Sequence, residues 1–458
     1  MKKPDKEKLL KESKAFCMLP WMHLFVNTDS SVWSCCVNKA MTNASLHLHD
    51  SHIETNIMTQ SIKQVINTDY FKQLRLDMLN GVQNENCSGC YALEESSGHS
   101  YRNDFNNEYD KYFDKVLETN EDGSIDNFET VYLDFRFSNI CNFKCRSCRP
   151  EWSSTWAKEA RDNDNHPYSD WGGKWVTIDE ENTDLGVSED TKNDFKHYSQ
   201  TKNDFINKFR NVLNTVKRIY FAGGEPLAAK EQYWILEYLI DNGRTDVIME
   251  YNTNLSMLKN DKLKLSVVDY WKKFRNISVR VSLDAMGKRA EYMRHGTDWK
   301  LIEDNFRYIK ENLPNVNIGV SSVFQLTNAL HLADFYQDWI DKGLIDYDVL
   351  HNIFIIPLTG PLQLNSQVLS KNLKIEVEHK WKEFSSKNLT SDHKKTFLNY
   401  IEKCIRHMND EDLYETNRED FINFTVYFDK IRNENFIKTF PELEEYFDSH
   451  KFGYEKVF

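Results

Sequence analysis

Between residues 128 and 358 the chain alternates strand-like runs with helical stretches, and no other feature limits its possible folds as tightly. The runs are "VYLDFRF" (131–137), "VKRIYFAG" (216–223), "VIMEYNT" (247–253), "ISVRVSLD" (277–284), "VNIGVSSVF" (316–324) and "NIFIIP" (352–357). Helical spacing fills 230–242, 258–274, 299–312 and 329–342 between most of them. A helix between two strands returns the chain to the end where it started, so such strands pair in parallel. The expected fold class is α/β, a partial (β/α)6 TIM-like barrel whose chemistry sits at the C-terminal strand ends. Three regions follow: a small α+β domain over 1–110, the barrel over 128–358 with an acidic insertion at about 162–210, and a mostly helical region over 359–458.

The composition is globular, with 40% apolar and 13% aromatic residues among 458. A formal net charge of −13 argues against a general binder of nucleic acid or of membrane surfaces. The first residues, "MKKPDKEKLLKESK", have no apolar signal core, and no run reaches the ~20 apolar residues of a membrane span. The expectation is a soluble cytoplasmic protein. Its nine cysteines are clustered and odd in number, which points to metal sites rather than to a disulfide framework.

The first barrel strand runs into "SNICNFKCRSC", with cysteines at 141, 145 and 148. A cubane [4Fe–4S] cluster has four irons, each usually held by a protein thiolate. Three thiolates leave the fourth iron open to a ligand, by the logic that separates catalytic from structural zinc sites. Zinc, or a chance cluster of thiols, remains an alternative on spacing alone.

The spacing C-x3-C-x2-C resembles the signature of the radical S-adenosylmethionine superfamily. The resemblance implies that Cys141, Cys145 and Cys148 hold a [4Fe–4S] cluster. Its open iron would chelate S-adenosylmethionine, and one-electron cleavage would give a 5′-deoxyadenosyl radical. Further motifs follow in the family's order, each at an expected strand end. "FAGGEP" is similar to the GGEP motif that meets the cofactor's amino group. Gly223 and Gly224 allow close backbone approach, and Glu225, followed by Pro226, can accept from an ammonium. "YNTNL" offers Asn252 and Asn254, "VSLDA" offers Ser282 and Asp284 for the ribose hydroxyls, and "EYMRHG" offers Arg294 for the carboxylate. "IGVSSVFQLTN" matches the adenine-side fifth strand loosely. Ser147 departs from the aromatic that the family places before its third cysteine, which leaves Phe143 as the adenine-side ring.

"FCMLPW", the hairpin "HLFVNTDSSVWSCC" (23–36, turning at 29–31), a helix over 61–81 and "NENCSGC" occupy the N-terminal region. Together they resemble the SPASM and twitch auxiliary-cluster domains. That resemblance implies one auxiliary [4Fe–4S] cluster held by Cys17, Cys35, Cys87 and Cys90. Cys36 is then a packed thiol, and structural zinc on the same thiolates is the alternative. Cys404, at helical spacing, reads as a buried helix thiol, and His23 as packing.

Residues 162–190 carry nine acids and one lysine, and "TKNDF" then occurs at 191–195 and 201–205. The resemblance implies a radical S-adenosylmethionine enzyme served by a reductant such as flavodoxin or ferredoxin. Its substrate is expected to be a peptide or protein. A dehydrogenase of small alcohols or sugars, and a non-catalytic iron–sulfur or zinc interaction protein, are the alternatives.

Overall fold

The computed structural model describes residues 4–28, 30–38, 55–57, 59–163, 166–167, 201–345, 353–388 and 394–447. Most of the acidic insertion, the first "TKNDF" and Asp29 at the hairpin tip lie outside the described residues. The chain packs as two compact units. The first comprises Met1–Ile140, Gly173–Glu250 and Lys273–Arg275, and the second Cys141–Gly172, Tyr251–Lys272 and Asn276–Phe458.

All six expected barrel strands form: Tyr132–Arg136, Arg218–Ala222, Ile248–Thr253, Ile277–Ser282, Val316–Phe324 and Phe354–Pro357. The fold class is α/β and mostly parallel, with a helical C-terminal region. In the first unit, Tyr132–Arg136 runs parallel to Arg218–Ala222, with Leu133 opposite Ile219. The N-terminal hairpin is antiparallel, with Phe25 opposite Trp33. Its first strand, His23–Val26, adds in parallel to Tyr132–Arg136, with His23 opposite Tyr132. The strand alternation divides the residues between two faces. On one face Phe135 packs at 5.8 and 5.0 Å against Phe205 and Phe209 of helix Lys202–Thr215, and Phe137 stacks on Phe221. On the other, His23 stacks at 4.4 Å on Tyr132, Arg218 lies over the same ring and pairs with Glu250 at 2.7 Å, and Arg136 lies over Phe25. The second "TKNDF" starts the Lys202–Thr215 helix, because Thr201 Oγ1 accepts from the Asp204 N–H as an N-cap.

In the second unit, Ile277–Ser282, Val316–Phe324 and Phe354–Pro357 pair in parallel. Trp299–Asn312 and Leu332–Asp341 are the helices between them, and Phe306, Phe335 and Trp339 join their faces at 4.6 to 5.0 Å. The C-terminal region is three long helices, Lys371–Asn388, Lys394–Asp410 and Tyr414–Arg432.

Two expected helices are corrected. The stretch 258–274 is not one helix: Lys259–Asn260 pairs antiparallel with Leu265–Ser266, and only Val267–Trp271 is helical. Lys264 takes a left-handed φ of 55°, which a right-handed helix cannot accommodate, and Asn260 Oδ1 accepts from the Leu263 N–H to close the turn. The stretch 61–81 is two helices, Ile62–Val65 and Asp69–Leu79. Ser61 forms a reciprocal capping box with Gln64, and Thr68 Oγ1 donates back to the Val65 carbonyl before the second helix starts.

Candidate functional site

The three cysteines of 141–148 share one loop of the second unit, and the residues that follow it hold it in place. Lys144–Cys145 pairs antiparallel with Arg294–His295, with Cys145 opposite Arg294. Ser153 is the N-cap of helix Ser154–Asp162, and its hydroxyl also donates to the Phe143 carbonyl at 2.6 Å. Thr155 donates to the same carbonyl, Ser154 Oγ accepts from the Cys141 N–H, and Trp156 Nε1 donates to the Cys145 carbonyl at 2.7 Å. "SSTW" therefore starts a helix and fixes the loop with the same side chains.

The sulfurs meet donors. The Phe143 N–H reaches Cys141 Sγ at 3.4 Å, and Arg294 Nη1 reaches Cys145 Sγ at 3.8 Å. Burial pushes the Cys145 thiol up, and Arg294 pulls against it. Soft sulfur donors with N–H and guanidinium contacts suit an iron–sulfur cluster. Among the described residues no three His, Cys, Asp or Glu side chains converge on one point.

Arg294 is also paired, with its Nε 2.8 Å from Asp284 Oδ2. Asp284 is 1% exposed, and its Oδ1 accepts from the Val323 N–H. Asn254 donates to Asn142 Oδ1 at 3.0 Å, so it secures the residue after Cys141. Ser282 closes its strand half-buried. Asn252 Oδ1 is a buried acceptor with no donor among the described residues, a position that a ligand hydroxyl or ammonium would satisfy.

In the first unit, Gly223 follows its strand with φ 110°, a conformation that glycine adopts without strain. The Gly224 N–H donates to the Ser138 carbonyl at 3.1 Å and the Glu225 N–H to Ile140 at 2.7 Å. A methyl at Gly224 would overlap the Ile140 carbonyl oxygen and come within 2.7 Å of the Asn139 carbonyl carbon. Glu225 is 2% exposed, and one of its oxygens caps the Pro226–Ala228 turn through the Leu227 N–H.

The N-terminal thiols also lie in the first unit. Cys87 is the N-cap residue of helix Ser88–Ser97, which carries Cys90. Glu94 of that helix pairs twice with Arg102, at 2.8 and 2.5 Å. Arg102 Nη1 donates to the Phe16 carbonyl, and Asn106 binds the Phe16 carbonyl and the Met18 N–H on either side of Cys17. Glu94, Arg102 and Asn106 thus join the Cys17 segment to the Cys87–Cys90 helix. Sequence reasoning missed all three, because a pair eight residues apart across a helix break leaves no periodic signal.

Burial pushes all five thiols up, Cys87 to about 12 and Cys36 to about 11. After burial, Cys17 senses Cys87 and Cys90, and Cys35 senses Cys36, Cys87 and Cys17. Cys36 senses Asp134 and Arg136 before Cys90. Each of these thiolates would be disfavoured by its buried neighbours, which places Cys17, Cys35, Cys87 and Cys90 within electrostatic reach of one another. Cys404 is 2% exposed on the Lys394–Asp410 helix. His23 is buried, and that burial lowers its pKa to about 3.

Residues 135–327 match the family model described as Radical SAM superfamily, and residues 17–91 match SPASM, an iron–sulfur cluster-binding domain. No curated protein matches the chain. Among solved structures, "Native anSMEcpe with bound AdoMet" is similar at 16% identity and a TM-score of 0.34, covering 56% of this chain and 62% of that one. "Native anSMEcpe with bound AdoMet and Kp18Cys peptide" is similar at 17% identity and a TM-score of 0.34, with the same coverage. The chain therefore spans less than two thirds of the length of these structures. No described helix is long and apolar enough to cross a membrane.

Proposed function

Because this chain carries a radical SAM domain together with an iron–sulfur cluster-binding SPASM domain, we propose that it is a radical S-adenosylmethionine enzyme acting on an unactivated C–H bond. The cofactors that go with these domains are a [4Fe–4S] cluster and S-adenosylmethionine in the core, and an auxiliary iron–sulfur cluster. Cys141, Cys145 and Cys148 would hold the core cluster, and Cys17, Cys35, Cys87 and Cys90 one auxiliary [4Fe–4S] cluster. When bound and reduced, the core cofactors supply the organic radical that removes hydrogen from substrate. Gly223, Gly224, Glu225 and Pro226 would receive the amino end of S-adenosylmethionine, and Arg294 its carboxylate. Phe143, Asn252, Asn254, Ser282 and Asp284 would line the remainder. The observation that carries this reading is the three-cysteine loop, whose sulfurs accept from the Phe143 N–H and Arg294.

The substrate reading is a peptide or protein. Its support is the run of nine acids and one lysine over 162–190, which would attract a basic partner. A small reductant protein of the flavodoxin or ferredoxin class would deliver the electron.

After anaerobic reconstitution the chain should hold about eight irons, from two cubanes of four. Replacing Cys141, Cys145 and Cys148 with Ala should remove about half of them. Reduced protein should release 5′-deoxyadenosine from S-adenosylmethionine, faster with a basic peptide than with an acidic one. A reduced, fully loaded chain that neither binds nor cleaves S-adenosylmethionine would leave an interaction protein instead. Peptide-independent release that only alcohols or sugars accelerate would remove the peptide reading alone.

A further inference from the structure

The residues on either side of Cys145 do not point to solvent. Arg146 is 3% exposed, and its Nη2 donates to Asp429 Oδ1 at 2.7 Å and to Glu434 Oε2 at 2.6 Å. Its guanidinium carbon lies 3.9 Å from the centroid of the Tyr292 ring, whose hydroxyl donates to the same Asp429 oxygen. The carbonyl of Lys144 accepts from Arg432 Nη1 at 3.0 Å. The Lys144 ammonium pairs with Glu159, to which Arg432 also donates at 2.7 Å. His295, the strand partner of Lys144, meets Glu434 Oε1 at 2.7 Å.

Three of these groups, Asp429, Arg432 and Glu434, fall within six residues at the end of helix Tyr414–Arg432. Asn433 takes the left-handed φ that ends the helix, and the Glu434 N–H returns to the Asp429 carbonyl at 2.9 Å. That turn carries Glu434 past the helix end to the loop. Asp429 Oδ2 accepts from the Phe436 N–H, so the same buried carboxylate fixes the turn and holds Arg146. Lys144, Arg146 and Arg432 face Glu159, Asp429 and Glu434, three cations against three anions.

A buried ionic network is a poor source of stability, because the desolvation of each charge offsets most of the attraction. An apolar contact would attach a C-terminal helix as firmly. The network's directed hydrogen bonds still restrict geometry, although Arg146 Nε and Nη1 meet no acceptor among the described residues, and here they hold the two neighbours of one thiol. Hydrogen-bonded partners behind a metal ligand commonly set metal retention.

We propose that the turn Asp429–Glu434 is the positioning device of the three-cysteine loop, setting the place of Cys145 through Lys144 and Arg146 and with it the retention of the core cluster. The cluster half of this proposal rests on the function proposed above; the loop half does not.

Two measurements on the full chain test it, with Asp429→Asn/Glu434→Gln as the main variant. In the metal-free chain, Cys145 alkylation by a thiol reagent, mapped by mass spectrometry, should quicken on the order of tenfold, while Cys17 and Cys87 alkylate as in wild type. In the reconstituted chain, core iron should pass to a ferrous chelator on the order of 10- to 100-fold faster, with auxiliary iron unchanged. Tyr292→Phe removes one hydrogen bond and should shift both rates in the same direction by less. Wild-type rates in the double variant overturn the proposal. So does equal acceleration at every cysteine, which would mark general loss of the fold. If the double variant does not fold, unchanged rates in Tyr292→Phe overturn it. A wild-type chain that holds no core cluster overturns the proposed function, and the metal-free alkylation then decides the loop half on its own.

Discussion

Replacing Gly224 with Ala separates two reasons for a glycine at this position. If the glycine serves only to let a ligand approach, the metal-free, ligand-free chain should tolerate a methyl. The structure puts that methyl against the backbone of Asn139 and Ile140, immediately before Cys141. Gly224 has no left-handed φ, so the strain comes from collision alone. Neither obstacle is a movable side-chain tip, so one backbone segment must shift. Overpacking of this kind costs about 1–3 kcal/mol. A shift also stretches the Gly224 N–H to Ser138 and Glu225 N–H to Ile140 hydrogen bonds, each worth about 1 kcal/mol. The stiffer unfolded chain returns about 0.4–1 kcal/mol. The expected net loss is about 2–4.6 kcal/mol. Urea denaturation of the metal-free protein, followed by far-UV circular dichroism, reads it as a lower midpoint at an unchanged slope. A metal-free Gly224→Ala chain within about 0.5 kcal/mol of wild type would refute the collision argument and leave only ligand approach.

Arg294→Met strands the buried Asp284 carboxylate and removes a donor from Cys145, so it should cost about 3–5 kcal/mol in the metal-free chain. Adding Asp284→Asn should restore most of that loss without restoring S-adenosylmethionine binding. Asp134 is 1% exposed, its Oδ1 lies 3.6 Å from Arg136 Nε in an ion pair, and burial raises its pKa to about 6 against the pull of Arg136. Its folded state therefore holds a proton more tightly than the unfolded state does, and it destabilises the chain as pH rises from about 4 to 6. Asp134→Asn should thus be more stable than wild type by about 1–3 kcal/mol at pH 7, the gain fading near pH 4 in denaturation curves across pH. Arg102→Met should release the Phe16 carbonyl and Glu94 together. It should lower auxiliary iron retention on the order of tenfold and leave core iron in place, by iron assay after chelation.

Much of the fold and part of the site are legible in short windows of sequence. The six strands follow from apolar runs, and Val316–Phe324 forms with the boundaries its pattern gives. Cysteine spacing and the glycines after "IYFA" mark the candidate site in sequence, because both express local requirements: thiols close in the chain, and a turn that admits no Cβ at Gly224. Windows failed where a local signal was ambiguous. The spacing over 258–274 suits a helix, yet one left-handed lysine and an asparagine turn convert it to a strand pair.

What only the tertiary structure decided is which charged groups serve the thiols. Arg146 sits inside the cysteine motif, and its partner Asp429 lies 283 residues away. In sequence each looks like a charge on a solvated surface, since nothing local distinguishes a buried ion from an exposed one. Arg294 and Asp284 read as separate ligand contacts, and only packing pairs them at 2.8 Å. His23–Val26 reads as half of an isolated hairpin, yet it extends the parallel sheet beside Tyr132–Arg136. A strand's apolar pattern states that it will pair; the choice of neighbour is made across the whole chain, where loop closure and burial are resolved together.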